Sequence, residues 1–286
     1  MIAMTKELVL IGLITTLLLF QGCIQKAETT NPDKTTTSIL AAGYDKTAVL
    51  SRITAGIDST FNIFDSVMSS TASELSDTGL RGQETRAILA KALNETPYAI
   101  EYSTVDSDGL LATIEPSLYS QFEGTDISGQ EHVKKLRETG KPVLSKTFKA
   151  VEGFDAVAIH YPINSKHGTA LQGELSLLIK PENVLEAAIA PAVKDAPLEA
   201  WAMDTYGNIL YDADTVEIGR NLFTDSLYQE YPELLELGKR IAAEKTGSGE
   251  YSFLKEGMRE KVRKQAQWDT VELYGTEWRI VAVSQI

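Results

Sequence analysis

The sequence has 286 residues, 43% hydrophobic and 23% charged, enough to bury one large or two ordinary domains. Its net charge of −13 argues against nucleic acid and anionic lipid as partners and suits a chain that stays soluble outside a cell. A single cysteine, Cys23, excludes an intrachain disulfide and a thiolate cluster, and three histidines (His132, His160, His167) offer little for a metal site, so no metal or other cofactor is expected.

Residues 8–20 (LVLIGLITTLLLF) carry no charge, but the run is short of the about 20 residues a spanning helix needs. It reads as the apolar part of a secretory signal peptide covering residues 1–22. Phe20-Gln21-Gly22-Cys23 resembles a lipobox, with Cys23 the lipidation site, although Phe20 and Gln21 depart from the usual Leu and small residue. The alternative is an uncleaved hydrophobic anchor. Either reading puts the rest of the chain on the outer face of a membrane, held by a Thr-rich tether over residues 23–38.

Residues 39–97 read as two helices. Leu50, Ile53, Ile57, Phe61, Phe64 and Met68 recur at spacings of three and four, which predicts a long helix from residue 39 to about 76. Its stripe fits either packing against a domain or a homodimer seam. A shorter helix is expected over residues 81–94, ended by Glu95-Thr96-Pro97.

Residues 98–196 form one sheet-and-helix module. Strands flank the Asp106-Ser107-Asp108-Gly109 turn, a polar loop and short helix follow, and further strands come after Gly140. In residues 154–162, Val157, Ile159 and Tyr161 share one face, and Ala156, Ala158 and His160 the other. Pro181 opens a helix through Val193. Residues 197–286 repeat the order. Asp204 to Asn208 matches Asp106 to Gly109, and Gly219-Arg220-Asn221-Leu222 matches Gly124-Thr125-Asp126-Ile127. A helix over residues 226–243 matches residues 130–138, and a last hairpin turns at Tyr274-Gly275-Thr276. An internal duplication of an α+β module, each copy with an antiparallel sheet, is the expected fold class.

The order strand, D-x-x-G turn, strand, G-x-[DN]-[IL], helix, T-G and three antiparallel strands resembles the PAS-like fold of extracellular sensor domains. Two copies behind a long helix resemble the double Cache (tandem PAS-like) domain of chemoreceptor and histidine kinase ectodomains, over roughly residues 39–286. The resemblance implies a membrane-distal first module that binds a small molecule and a membrane-proximal second module. No second hydrophobic span follows the last strand of the given sequence, so a separate receptor or kinase is the expected signalling partner.

In this fold the pocket lies between the sheet and the loop-helix segment after the second strand. That points to Tyr119, Phe122, Asp126 and Gln130 on the lid, Lys146 and Phe148 on the third strand, and Asp155, His160 and Tyr161 on the fourth, with Tyr161 preferred over His160. Asp126 also fits a simple helix cap or turn former, and the aromatics fit ordinary core. The lid lacks the Arg-x-Trp-Tyr run of the amino-acid-binding subset. Residues 255–264 (KEGMREKVRK) form a basic hairpin, read as solvated. No G-x-S-x-G, H-E-x-x-H or phosphate loop is present, so the chain is not expected to be an enzyme. The other reading is a structural or adhesive surface module without a small ligand.

Overall fold

A computed structural model describes residues 45–166, 170–255 and 260–286. The signal peptide, Cys23, the tether, His167 and the tip of the basic hairpin lie outside the described residues.

A 33-residue helix, α1 (Lys46–Thr78), opens the described chain. Asp45 caps it, its carboxylate accepting from the Ala48 N–H at 3.2 Å. The described helix begins at residue 46, and the expected stretch 39–44 lies outside the described residues. A shorter helix, α2 (Gln83–Glu95), packs beside it.

The first module holds β1 (Ala99–Asp106), β2 (Leu111–Glu115), a 3-10 turn (Ser117–Phe122) and α3 (Glu131–Thr139). Then come β3 (Val143–Leu144), β4 (Phe148–Lys149), β5 (Asp155–Asn164), β6 (Leu171–Ile179) and α4 (Pro181–Val193), the last with Pro in its first turn as expected. The second module holds β7 (Glu199–Asp204), β8 (Ile209–Tyr211) and a 3-10 turn (Ser226–Tyr228). It closes with α5 (Pro232–Ala243), β9 (Gly247–Leu254), β10 (Lys261–Leu273) and β11 (Thr276–Gln285). The single helix expected over residues 226–243 is thus split, because Pro232 has no N–H to continue a preceding turn.

Both sheets are antiparallel and have the same strand order. The first runs β2-β1-β6-β5-β3 with β4 also on β5; the second runs β8-β7-β11-β10-β9. The duplication extends to single hydrogen bonds. Asp106 Oδ1 accepts from the backbone N–H of Asp108 and Leu110, and Asp204 Oδ1 from those of Tyr206 and Asn208. The next residue of each turn is a glycine at positive φ, Gly109 (92°) and Gly207 (86°). Their carbonyls accept from Ile127 N–H at 2.8 Å and Leu222 N–H at 2.7 Å. A Cβ on Gly109 would sit 2.5 Å from the Ser128 side chain, so both the turn and the close approach need glycine.

The α1 stripe packs within the chain. Leu50, Ile53, Ile57, Phe61, Phe64 and Met68 share one core with Val157, Ile159 and Leu177 of the first sheet and Trp278, Ile280 and Ala282 of the second. That stripe is therefore not a homodimer seam. Phe61 meets Trp278 edge-on at 5.2 Å between ring centroids. Gly56 admits α4, whose Ala188 Cβ lies 3.4 Å from where a Gly56 Cβ would be. The opposite face of each sheet carries its own lid: the 3-10 turn and α3 in the first module, the 3-10 turn and α5 in the second.

Phe64 is fully buried where α1 serves both modules. Phe64→Ala is expected to cost about 3–5 kcal/mol, and chemical denaturation should still show one transition carrying the whole loss. Two transitions, only one of them shifted, would contradict a shared core.

Candidate functional site

The lid-facing side of the first sheet is set by register. Ser103 pairs with Ser176 and Ser176 with His160, and Glu101 pairs one step away with Leu178. Alternation puts Glu101, Ser103, Glu174, Ser176 and His160 together on the face under the lid. This face is polar and buried: Glu101, Ser103, His160, Glu174 and Ser176 are all under 8% exposed.

Part of the floor is knitted together. His160 Nδ1 lies 2.7 Å from Glu174 Oε2, and its Nε2 lies 3.1 Å from Ser176 Oγ. Arg137 of α3 donates from Nε to Glu174 Oε1 at 2.9 Å and from Nη2 to the Asp106 carbonyl at 2.8 Å, which ties the lid helix to the sheet. His132, on the inner side of α3, packs at a tilt against His160 and Phe148, with ring centroids 4.6 and 4.8 Å away. Burial, and then the nearby His160, depress its pKa to about 2, so it is a neutral imidazole.

Single atoms around this floor lack a partner, although Glu101 also bonds Ser103 and Glu152. Glu101 Oε2, His132 Nε2 and Thr147 Oγ1 are buried without a hydrogen-bond partner among the described residues. Burial first, and the Glu152 carboxylate second, push the Glu101 carboxyl well above the ordinary carboxylate range. Buried polar groups of this kind are normally paired, and one left bare costs about 1–3 kcal/mol.

Beside His132, a cleft of about 350 Å³ opens between the modules. Gln130, Lys146, Thr147 and Phe148 line it from the first module, and Tyr206 and Glu277 from the second. The modules also touch there directly, through the Thr276 hydroxyl to the Leu144 carbonyl at 2.7 Å.

The residues expected from sequence divide between several places. Lys146, Gln130 and Phe148 line the cleft; Lys146 also pairs with Glu131 at 2.9 Å and sits 4.3 Å over the Tyr206 ring. Tyr119 and Phe122, on the lid's 3-10 turn, pack against Val105, Leu111, Ile114, Ile127 and Val133. Asp126 is exposed and closes a local turn, accepting from Ser128 N–H at 2.8 Å, and the hydrogen bonds from Ser128 lower its pKa. Asp155 is exposed at a strand end, 3.6 Å from Lys149.

Tyr161 is separated from the others. It faces the α1 side with Val157 and Ile159, and His160 faces the lid. Tyr161, preferred over His160 from the sequence, thus lies away from the lid: the more apolar face of β5 packs on α1, and the polar face meets the lid. Sequence reasoning also missed Glu101, Ser103, His132, Glu174 and Ser176. An alternation of polar residues on β6, Glu174 and Ser176 against Leu175 and Leu177, was the available signal.

No described helix is long and apolar enough to cross a membrane, and no cluster of three or more potential metal ligands occurs among the described residues.

Residues 59–181 match the family described as HK/GC/Chemotaxis protein-like, sensor domain. Among solved structures, the chain is similar to an extracellular ligand binding receptor from Desulfohalobium retbaense, at 30% identity and TM-score 0.70 over 82% of this chain. It spans 39% of that receptor's length. The ligand-binding domain of the Pseudomonas aeruginosa amino acid chemoreceptor PctB, solved with L-Arg, matches at 16% identity and TM-score 0.60, over 84% of this chain and 93% of that one. The periplasmic sensory domain of the Campylobacter jejuni chemoreceptor Tlp1 matches at 13% identity and TM-score 0.56, over 88% and 95%. No curated protein sequence matches the chain. The chain thus resembles the sensor ectodomains of chemoreceptors and histidine kinases, in its family match over residues 59–181 and in its fold over both modules.

Because folding takes up a proton at Glu101, stability is lost as pH rises past the unfolded carboxylate value. Glu101→Gln, which removes that titration, is expected to gain on the parent between about pH 5 and about pH 8, reaching about 1–3 kcal/mol. Melting curves across that range check it, and a pH-independent difference would contradict it.

Proposed function

We propose that the chain is an extracellular, membrane-tethered sensor of the double Cache type, holding a small polar molecule under the lid of its first module. The observation that carries this reading is the buried floor of that module, where Glu101 and His132 each bring an unpartnered polar atom to a face otherwise sealed by the lid. Buried polar groups are normally met by a protein group, a water or a ligand, and a small polar solute would meet these. The family match over residues 59–181 supports the same class.

The course of the chain supports the orientation in which the second module lies nearer the membrane. Lys46, at the start of α1, donates to the Gln265 side chain at 3.0 Å, and Gln265 pairs with Ser284 near the last residue. An N-terminal anchor at Cys23 would therefore join the molecule at the far end of the second module. Signalling then passes to a separate receptor or kinase that recognises the ligand-bound form.

A thermal-shift screen of the full chain against small carboxylates, amines and osmolytes tests the reading. A ligand at a hundred times its dissociation constant adds about 2.7 kcal/mol of stability. At least one solute is expected to raise the Tm in the parent and not in Ser103→Ala or Glu101→Gln. If none does so, or if every shift survives both substitutions, the first-module site is refuted.

A further inference from the structure

The corresponding space in the second module is built differently. Beneath its lid lies a cavity of about 70 Å³, the room of two or three water molecules. Trp201, Tyr228, Tyr251 and Phe253 wall it with aromatic rings. Its charged lining is four carboxylates, Glu199, Asp212, Asp214 and Glu217, against Lys255 and Lys264.

One of the two lysines is already committed. Lys264, with a side chain only 7% exposed, lies 2.5 Å from Glu199. Asp212 accepts from the Asp214 N–H at 2.8 Å, and Glu217 from the Tyr228 hydroxyl at 2.9 Å. Among the described residues neither Asp212 nor Glu217 has a salt bridge. Two acids thus border one small aromatic space without an ion pair of their own, although Lys264 acts on both. Aromatic faces attract cations, and the attraction grows where water is excluded. An anion would meet the carboxylates, and an alkane would leave them bare.

We propose that this cavity is a second binding site, separate from the one in the first module, and that it takes a small organic cation, an alkylammonium of a few heavy atoms, between Asp212 and Glu217 against the surrounding rings.

Proton release accompanies binding. Without a cation, burial and then the Glu217 charge raise the Asp212 pKa to about 8, and burial raises Glu217 as well. The groups bearing on Asp212 are Glu217 and Asp214 on its own loop, Glu199 of β7, Tyr251 and Lys255 of the β9 segment, Lys264 of β10 and the Tyr228 phenol. Of these, the Asp214 N–H and Lys264 favour its ionisation. An entering ammonium supplies the missing positive charge, Asp212 ionises, and its proton leaves to solvent.

Isothermal titration of the full chain with trimethylammonium chloride tests the proposal, with potassium chloride and sodium acetate at equal ionic strength as controls. Binding is expected to be about tenfold or more tighter at about pH 8 than at about pH 6, with proton release visible as a buffer-dependent heat. Asp212→Asn and Glu217→Gln are each expected to weaken it at least tenfold at about pH 8, where the lost charge counts. Glu74→Gln, on the exposed side of α1, should leave it unchanged. Melting curves of the variants confirm that they are folded. Absence of a trimethylammonium heat in the parent, binding of acetate in its place, or affinity unaltered by both cavity substitutions would overturn it.

Discussion

Two separate sheets depend on one helix. At about 1.5 Å per residue, α1 runs about 50 Å, long enough to lie across both modules. Each sheet presents an apolar face that would otherwise meet water, and the buried stripe from Val49 to Leu75 covers the two in succession. Because one face of each sheet is spent on the helix, the other is left for a lid, and every candidate site lies under a lid or beside one. The relative placement of the modules follows from the same stripe, reinforced where the β10–β11 turn reaches back to the first module and to α1 through Tyr274 and Asp65.

The two copies fix their lids with a charge-bearing side chain at the same sheet position, in opposite senses. In the first, the strand supplies Glu174 and the lid helix supplies Arg137. In the second, the matching strand position is Arg279, which donates to the Ile241 and Ala242 carbonyls at the end of α5, where the helix dipole favours positive charge. With the lid held this way, the second module keeps a cavity among its aromatics, and the first fills its centre with His160, Ser176 and Glu174 while leaving Glu101 and His132 short of partners.

Much of the architecture was legible in the sequence because its determinants are local. The spacing of Leu50 to Met68 marks the helix, and Asp106 and Asp204 with the glycines three residues later mark equivalent turns. The order of those turns reveals the duplication, since each Asp closes its own loop through neighbouring N–H groups. The site was less legible, because strand alternation says which residues share a face and not which layer will cover it. Only the packing of α1 against Val157 and Ile159 shows that Tyr161 lies away from the lid and His160 beneath it. Glu101, Ser176 and His160 come together only through the β1-β6-β5 register, and the second cavity draws on residues as far apart as Glu199 and Lys264.

The central claim is that the unsatisfied polar floor of the first module is where a solute is recognised. A crystal structure of the full chain grown with the non-cationic solute that most raises its Tm tests this most directly. Density for that solute under the first lid, within hydrogen-bond reach of Glu101, Ser103 or His132, is the predicted result. A first module whose floor is closed on itself, with the solute bound elsewhere, would contradict it.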